Sequence, residues 1–188
     1  MRKAREPVHV PIFAMIRPRA GDFVYSASEY ERMRADIEMA KRARMDGVVL
    51  GILTRGRGVD VERTRELVNL ARPLAVTFHR AFDDIEGLDA GLEDVIETGA
   101  ARILSSGGAA AAPAALDKLA RMVGAAKERI IILPGGGINP SNVLQVARKT
   151  RAREIHSGLG SVLAYGQEDY KLFEGEVRKL AVQLASAT

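Results

Sequence analysis

Short apolar runs alternate with amphipathic stretches along the chain. Within each run, successive residues are apolar instead of every second one, which is typical of strands buried on both faces of a parallel sheet. A polar or glycine-rich turn and a segment of helical period follow each run, so the repeat of roughly 30 residues has the size of a β/α unit. Six strands are predicted, at residues 12–16, 48–52, 74–78, 102–105, 130–133 and 154–156.

The segments between these runs predict helices. Ser28, with Glu31 three residues later, has the pattern of a capping box, and Asp60 is placed to cap the helix after the second run. The later helices are predicted at residues 86–98, at 113–126, after residues 140–142 and at 168–185.

Six units leave two architectures open. A closed β/α barrel needs eight strands and about 250 residues, whereas an open doubly wound sheet can be built from six. The chain has 188 residues, of which 47% are hydrophobic and 28% charged, as in an ordinary soluble globular protein. No linker or change of composition divides it, so we expect a single domain over residues 1–188.

Composition removes several classes of function. The chain has no cysteine, which excludes disulfides, thiolate metal ligands and cysteine nucleophiles within it. No apolar run approaches the roughly 18 residues that cross a bilayer, and no signal peptide is recognised, so we expect a cytoplasmic protein without a membrane partner. The net charge is +4, but basic and acidic residues are interspersed, which indicates a solvated surface and not a nucleic-acid interface.

Polar residues and glycines follow the predicted strands. Because the carboxyl ends of parallel strands carry the functional groups of β/α proteins, these residues are the candidate site. They comprise two of the three histidines together with arginine, aspartate, serine and glycine: Arg17, Arg19, His79, Arg80, Asp83, Ser106, Gly135, Gly136, Gly137, His156 and Ser157.

Arg17 and Arg19 bracket Pro18. Alternate residues of an extended segment point the same way, so both guanidiniums are predicted to face one ligand, a carboxylate or a phosphate. The alternative is that one of them pairs with Asp22 or Asp83 as a structural brace.

The histidines and the glycine run suggest further chemistry. His79 is a candidate general acid/base whose tautomer Asp83 would fix, and the alternative is a satisfied buried histidine. Gly135, Gly136 and Gly137 precede a predicted helix, and with Ser157 they would cradle a phosphate. The alternative for the glycines is a tight turn that needs positive φ. No lysine ends a strand, which argues against a Schiff-base mechanism.

Five segments in a fixed order resemble the CutC family of copper homeostasis proteins. They lie at residues 15–23, 46–54, 74–83, 102–107 and 132–138, and the resemblance extends from about Val10 to His156. The resemblance implies an incomplete TIM-type β/α barrel with about six of the eight β/α units, because family members carry about two further units before residue 12.

A role for copper is implied only by this resemblance. The family's cysteines, including those suggested as copper ligands, lie mainly in the absent units, so the metal-binding residues stay unknown. Copper(I) prefers thiolate or thioether donors, and only histidines and scattered methionines remain. The missing units would also leave sheet edges open, and we therefore expect a homo-oligomer whose second copy covers them. The alternative is that the six strands close or flatten differently.

Three functions follow from these observations. The first is a copper homeostasis protein that binds copper or a small anionic ligand at the carboxyl ends of the strands. The second is an enzyme that acts on a phosphorylated or carboxylated metabolite, with Arg17 and Arg19 as the anion clamp and His79, Asp83 and His156 as the catalytic groups. The third is a structural or interaction protein that has lost its site.

Overall fold

The computed structural model describes residues 9–159 and 169–186. Its strands are hydrogen-bonded in chain order, β1-β2-β3-β4-β5. The register is parallel from β1 to β4. This confirms the predicted parallel α/β class. The strands are β1 (Phe13–Met15), β2 (Gly47–Leu50), β3 (Ala75–Phe78), β4 (Arg102–Ser105) and β5 (Ile131–Pro134).

Helices separate the strands as predicted. A 3₁₀ turn, Arg80–Asp84, follows β3, and a second, Ala112–Ala114, follows β4. The α-helices are α1 (Ala27–Arg42), α2 (Val61–Ala71), α3 (Leu88–Thr98), α4 (Leu116–Ala126), α5 (Val143–Thr150) and α6 (Tyr170–Ala185). No helix within residues 9–159 or 169–186 combines the length and the apolar character that crossing a bilayer requires.

The fold consists of two compact units, Met1–Ile103 and Leu104–Thr188. In the first unit, β1 pairs with β2, β2 with β3, and Thr77 of β3 with Arg102. Its core is built from large apolar side chains that are fully buried between strands and helices: Ile16, Met33, Ile37, Leu50, Leu67, Phe78, Phe82 and Leu92. The expectation of one domain over residues 1–188 stays a prediction.

The start of α1 differs from the prediction by two residues. Ser26 is the N-cap, its hydroxyl accepts from the Glu29 amide, and the Glu29 side chain returns a bond to the Ser26 amide. The predicted capping box of Ser28 and Glu31 is therefore wrong. The Asp60 cap of α2 is confirmed, since its carboxylate accepts from the Arg63 amide at 3.1 Å.

The second unit contains β5 and α4 to α6. The Gly135 amide donates to the Ser105 carbonyl at 2.9 Å, and the His156 amide donates to the Pro134 carbonyl at 2.9 Å. Gly135 and His156 form an isolated parallel bridge. The sixth predicted strand is thus reduced to a single bridge within the described part of the chain.

Candidate functional site

Arg17 and His79 both lie at carboxyl ends of paired strands in the first unit. The Ile16 amide continues the β1 ladder by donating to the Val49 carbonyl at 2.8 Å. The His79 amide continues the β3 ladder by donating to the Leu50 carbonyl at 2.7 Å. Since the strands are parallel, the two residues enter the same edge of this part of the sheet, as the sequence predicts.

His79 is 4% exposed, and its ring is fixed by the backbone. The Ala81 amide donates to His79 Nδ1 at 3.2 Å. A neutral imidazole has one donor and one acceptor nitrogen, so this bond places the proton on Nε2. Nε2 is buried and has no hydrogen-bond partner in the described structure. His79 therefore presents a buried, unused N–H donor.

The charge state of His79 follows from its surroundings. Burial lowers the pKa of His79 to about 4, and the positive charge of Arg17 adds a smaller effect in the same direction. Burial disfavours the charged imidazolium because its hydration is lost. At neutral pH His79 is therefore an uncharged donor.

Asp83 does not orient His79. Its carboxylate accepts from Arg80 Nε at 2.8 Å, and this ion pair lies within the 3₁₀ turn. The prediction that Asp83 fixes the histidine tautomer is wrong, because the Ala81 amide occupies Nδ1 instead. Arg80 and Asp83 follow His79 in the chain, and in the structure they bind each other and brace the turn.

An aromatic ring joins Arg17 to His79. The Arg17 guanidinium lies 4.6 Å from the centre of the Phe23 ring, a cation–π distance. The Phe23 and His79 ring centres are 4.9 Å apart. On the other side, the His79 ring approaches Gly51 so closely that a Cβ there would lie 2.6 Å from two ring atoms. Glycine at position 51 is what admits the imidazole.

Tyr25 is a site residue that sequence reasoning missed. Its ring is buried, and its hydroxyl has no hydrogen-bond partner in the described structure. Burial raises the pKa of Tyr25, and the nearby Arg17 guanidinium opposes that shift. We call Arg17, Phe23, Tyr25 and His79 the Arg17 cluster. A signal was available, because Phe23 and Tyr25 repeat the two-residue spacing of Arg17 and Arg19.

Arg19 is a structural brace, which is the alternative that its sequence context left open. Its guanidinium donates to Glu29 Oε1 at 2.6 Å and to Asp22 Oδ1 at 2.7 Å. It also donates to the carbonyls of Asp22 and Val24. The Arg19 guanidinium lowers the pKa of Asp22, and the Ser26 amide together with Arg19 lowers the pKa of Glu29, so both carboxylates are held in their charged form. These bonds tie the loop between β1 and α1 into one shape and offset the charge of Arg19.

The glycine run of the second unit forms a turn. Gly136 and Gly137 have φ values of 100° and 69°, where a side chain would be strained. The Gly136 carbonyl accepts from the Ala112 amide, and the Gly137 carbonyl accepts from Asn142 Nδ2 at 2.9 Å. The tight-turn alternative therefore accounts for these two glycines, and the phosphate cradle stays a prediction.

The other polar residues of the second unit bind their own loops. Ser157 Oγ donates to the Ile138 carbonyl and Ser106 Oγ to the Ala109 carbonyl, both at 2.5 Å. His156 is exposed, and partial desolvation lowers its pKa. That His79 and His156 face one mouth stays a prediction. No three His, Asp or Glu side chains within residues 9–159 and 169–186 are grouped as metal ligands would be.

Comparisons with known proteins extend this picture. The model of the CutC family matches residues 1–161. A CutC family protein from Chromobacterium violaceum is 42% identical over an alignment of 189 positions, which covers 98% of this chain and 76% of that protein. The copper homeostasis protein cutC homolog of Homo sapiens is 40% identical over 168 residues, covering 89% of this chain and 62% of that protein.

A solved structure is similar as well. The crystal structure of a protein from Streptococcus agalactiae, provisionally assigned as the copper homeostasis protein CutC, superposes with a TM-score of 0.79 at 30% identity. The match covers 82% of this chain and 77% of that one. It supports the predicted incomplete TIM-type β/α barrel. The chain spans 60% to 76% of the length of the first curated relatives that it matches.

Proposed function

Because this chain belongs to the CutC family of copper homeostasis proteins, we propose that it serves copper homeostasis by binding a small anionic ligand at the carboxyl ends of β1 and β3. The observation that carries the proposal is the His79 Nε2 donor, which is buried without a partner in the described structure. A buried donor left unsatisfied costs about 1–3 kcal/mol, so a ligand that accepts its hydrogen bond gains affinity.

Arg17 supplies the charge. Its Nη2 donates to the Gly21 carbonyl at 2.7 Å, and no carboxylate pairs with it among the described residues. The remaining guanidinium donors are available for a carboxylate or phosphate, which such a fork binds in a bidentate manner. Arg17 is exposed whereas His79 is buried, so a ligand would reach from solvent into the cluster.

Copper is not the expected occupant of His79. A metal binds an imidazole nitrogen through its lone pair, and the lone pair on Nδ1 already accepts from the Ala81 amide. Nε2 carries the proton and has no lone pair to offer. Copper(I) also prefers thiolate or thioether donors, and the chain has no cysteine. Direct copper binding would therefore have to use other residues.

The same geometry weighs against His79 as a general base. Taking up a proton would use the Nδ1 lone pair that accepts from the Ala81 amide, and it would leave a charged imidazolium in a buried site. His79 fits the role of a neutral hydrogen-bond donor to a ligand oxygen. The proposal is accordingly a binding function, in which His79 does not serve as the general base of the enzymatic alternative.

Anion titration of two arginine variants tests the proposal. Isothermal titration calorimetry with acetate, lactate and inorganic phosphate compares the wild type with Arg17→Gln and with Arg178→Gln. Arg178 is an exposed arginine of α6 that pairs with Glu174. We expect Arg17→Gln to weaken binding by about tenfold or more, the scale of a charged hydrogen bond, and Arg178→Gln to have no effect.

Two results would contradict the proposal. One is that none of the three anions binds the wild type. The other is copper(I) binding, measured against the competing chelator bicinchoninate, that is stoichiometric in the wild type and lost in His79→Gln. The second result would show that His79 binds copper and that Nε2 gives up its proton.

A further inference from the structure

Building on the proposed anion site, we infer that its ligand is a monocarboxylate with a second, neutral oxygen on the adjacent carbon, as in a 2-hydroxy or 2-oxo acid. Two features of the Arg17 cluster lead to this class. One is the count of charges around the cluster, and the other is the number of buried donors that lack an acceptor.

The charges favour one negative charge on the ligand. Arg19 is offset by Asp22 and Glu29, which accept its hydrogen bonds at 2.7 and 2.6 Å. Arg80 is likewise paired with Asp83 at 2.8 Å. Arg17 is left as the cation that the described loop does not neutralise. A phosphate ester near charge −2 would keep one charge uncompensated beside buried aromatic rings, which is costly, whereas a carboxylate is matched.

The donors favour a second oxygen. A bidentate guanidinium engages both oxygens of a carboxylate in its plane. The His79 Nε2–H and the Tyr25 hydroxyl are both buried, and neither has a partner in the described structure. Both are neutral donors, so they suit an uncharged acceptor such as a hydroxyl or carbonyl oxygen. An oxygen one carbon away from the carboxylate supplies that acceptor without adding charge.

Phe23 lies between Arg17 and His79. Its half-buried ring lies against His79 on one side and under the exposed Arg17 guanidinium on the other. The cation–π contact with the Phe23 ring uses none of the guanidinium N–H donors, so they stay available to a ligand carboxylate while Phe23 keeps Arg17 beside His79. Phe23 is on this account a positioning residue of the site.

Matched pairs of acids test the inference. Titration calorimetry compares glycolate and glyoxylate with acetate, lactate and pyruvate with propionate, and all of them with inorganic phosphate. We expect each oxygenated acid to bind about tenfold more tightly than its parent acid, the scale of one or two neutral hydrogen bonds. In Tyr25→Phe the ratio of the affinity of each oxygenated acid to that of its parent acid falls several-fold, while acetate and propionate keep their affinity. Tyr170→Phe, at an exposed position of α6, leaves every affinity unchanged.

The outcomes separate the inference from the proposed function. Equal binding of each acid and its parent, or phosphate as the tightest ligand with dependence on Arg17, overturns the inference and leaves the anion site in place. An unchanged ratio in Tyr25→Phe removes Tyr25 from the ligand and also overturns it. If neither the acids nor phosphate bind, the proposed anion site itself fails.

Discussion

At the scale of the residue, His79 shows how a backbone group can decide the chemistry of a side chain. One amide, that of Ala81, donates to Nδ1 at 3.2 Å, and the burial of the ring disfavours its charged form. The result is a neutral histidine with its proton on the nitrogen that faces no protein acceptor in the described structure. This combination distinguishes a donor to a ligand from an acid/base catalyst.

The lowered pKa makes stability depend on pH. The unfolded chain protonates His79 near 6.5, whereas the folded chain does so at about 4. The unfolded state therefore binds more protons between these values, and the free energy of unfolding falls as the pH drops from 6.5 to 4. We expect a loss of about 3 kcal/mol at most from this group. Urea unfolding across this range should show it.

His79→Gln is the informative variant for this titration, because glutamine has no proton to gain. We expect it to flatten the pH dependence of unfolding, whatever its effect on absolute stability. His156→Gln is the control. Because His156 is exposed, this variant should keep most of the pH dependence of unfolding. A wild-type slope that persists in His79→Gln would show that His79 is not the group that titrates.

The close approach of the His79 ring to Gly51 predicts a steric effect when position 51 is substituted. In Gly51→Ala the new Cβ would lie 2.6 Å from His79 Cε1 and Nδ1, so the ring has to move. We expect a loss of about 1–3 kcal/mol, typical of overpacking, and a change in the ¹⁵N chemical shift of His79 Nδ1. Gly124→Ala in α4 meets no atom within 4 Å and should be neutral or slightly stabilising. An unperturbed His79 signal in Gly51→Ala would contradict the packing.

Sequence reasoning found part of this cluster. Arg17 and His79 follow strands, and that position alone marks them. Tyr25 was missed because a tyrosine in a loop looks like an ordinary hydrophobic residue until the structure buries its hydroxyl without a partner. The role given to Asp83 was wrong because sequence proximity cannot show that a backbone amide reaches Nδ1 first.

At the scale of the element, the loop and first turn between β1 and α1 act as one piece. Glu29 closes the capping box with Ser26 and also accepts from Arg19. The helix start is thereby linked to the loop that carries Phe23 and Tyr25. The sequence offers two serines, Ser26 and Ser28, each with a glutamate three residues on, and local pattern cannot choose between them.

The two serines give a matched pair of variants. Ser26→Ala removes the acceptor of the Glu29 amide and should cost about 1 kcal/mol in the free energy of unfolding. Ser28 lies inside α1 and is exposed, so Ser28→Ala should change stability little. Chemical denaturation of both variants checks this. Equal losses would mean that the cap does not depend on Ser26.

Strand prediction succeeded for the apolar runs and failed for the run that is mostly polar. The runs of β2 to β5 are apolar and match the predicted strands within about two residues. The sixth run, residues 154–156, combines Glu154 and His156 with one isoleucine and forms only the bridge to Gly135. Three residues with two polar side chains offer little apolar area to hold a strand in a sheet.

At the scale of the whole molecule, β1 has a strand on one side only in the described sheet. Its Met15 side chain is 57% exposed although the strand is otherwise partly buried. Exposed edges with apolar side chains invite pairing with another chain. The homo-oligomer predicted from the sequence is therefore still our proposal, with a second copy at this edge.

Light scattering coupled to size-exclusion chromatography tests the oligomer. We expect the wild type to elute as a dimer or larger at micromolar concentration, and Met15→Lys to shift it towards the monomer because a charge at the edge opposes strand pairing. Met39→Lys, at an exposed methionine of α1, is the control and should leave the mass unchanged. A monomeric wild type would remove the proposal.

The bond from Ala81 to His79 has a consequence for how this protein tolerates change. Because a main-chain amide occupies Nδ1, the position of the proton on Nε2 does not rely on a hydrogen bond from the Arg80 or Asp83 side chain. We therefore expect the tautomer of His79 to persist when the side chains around this turn are substituted. The two positions that we expect not to tolerate substitution are His79 itself and Gly51, where the absence of a side chain makes room for the imidazole.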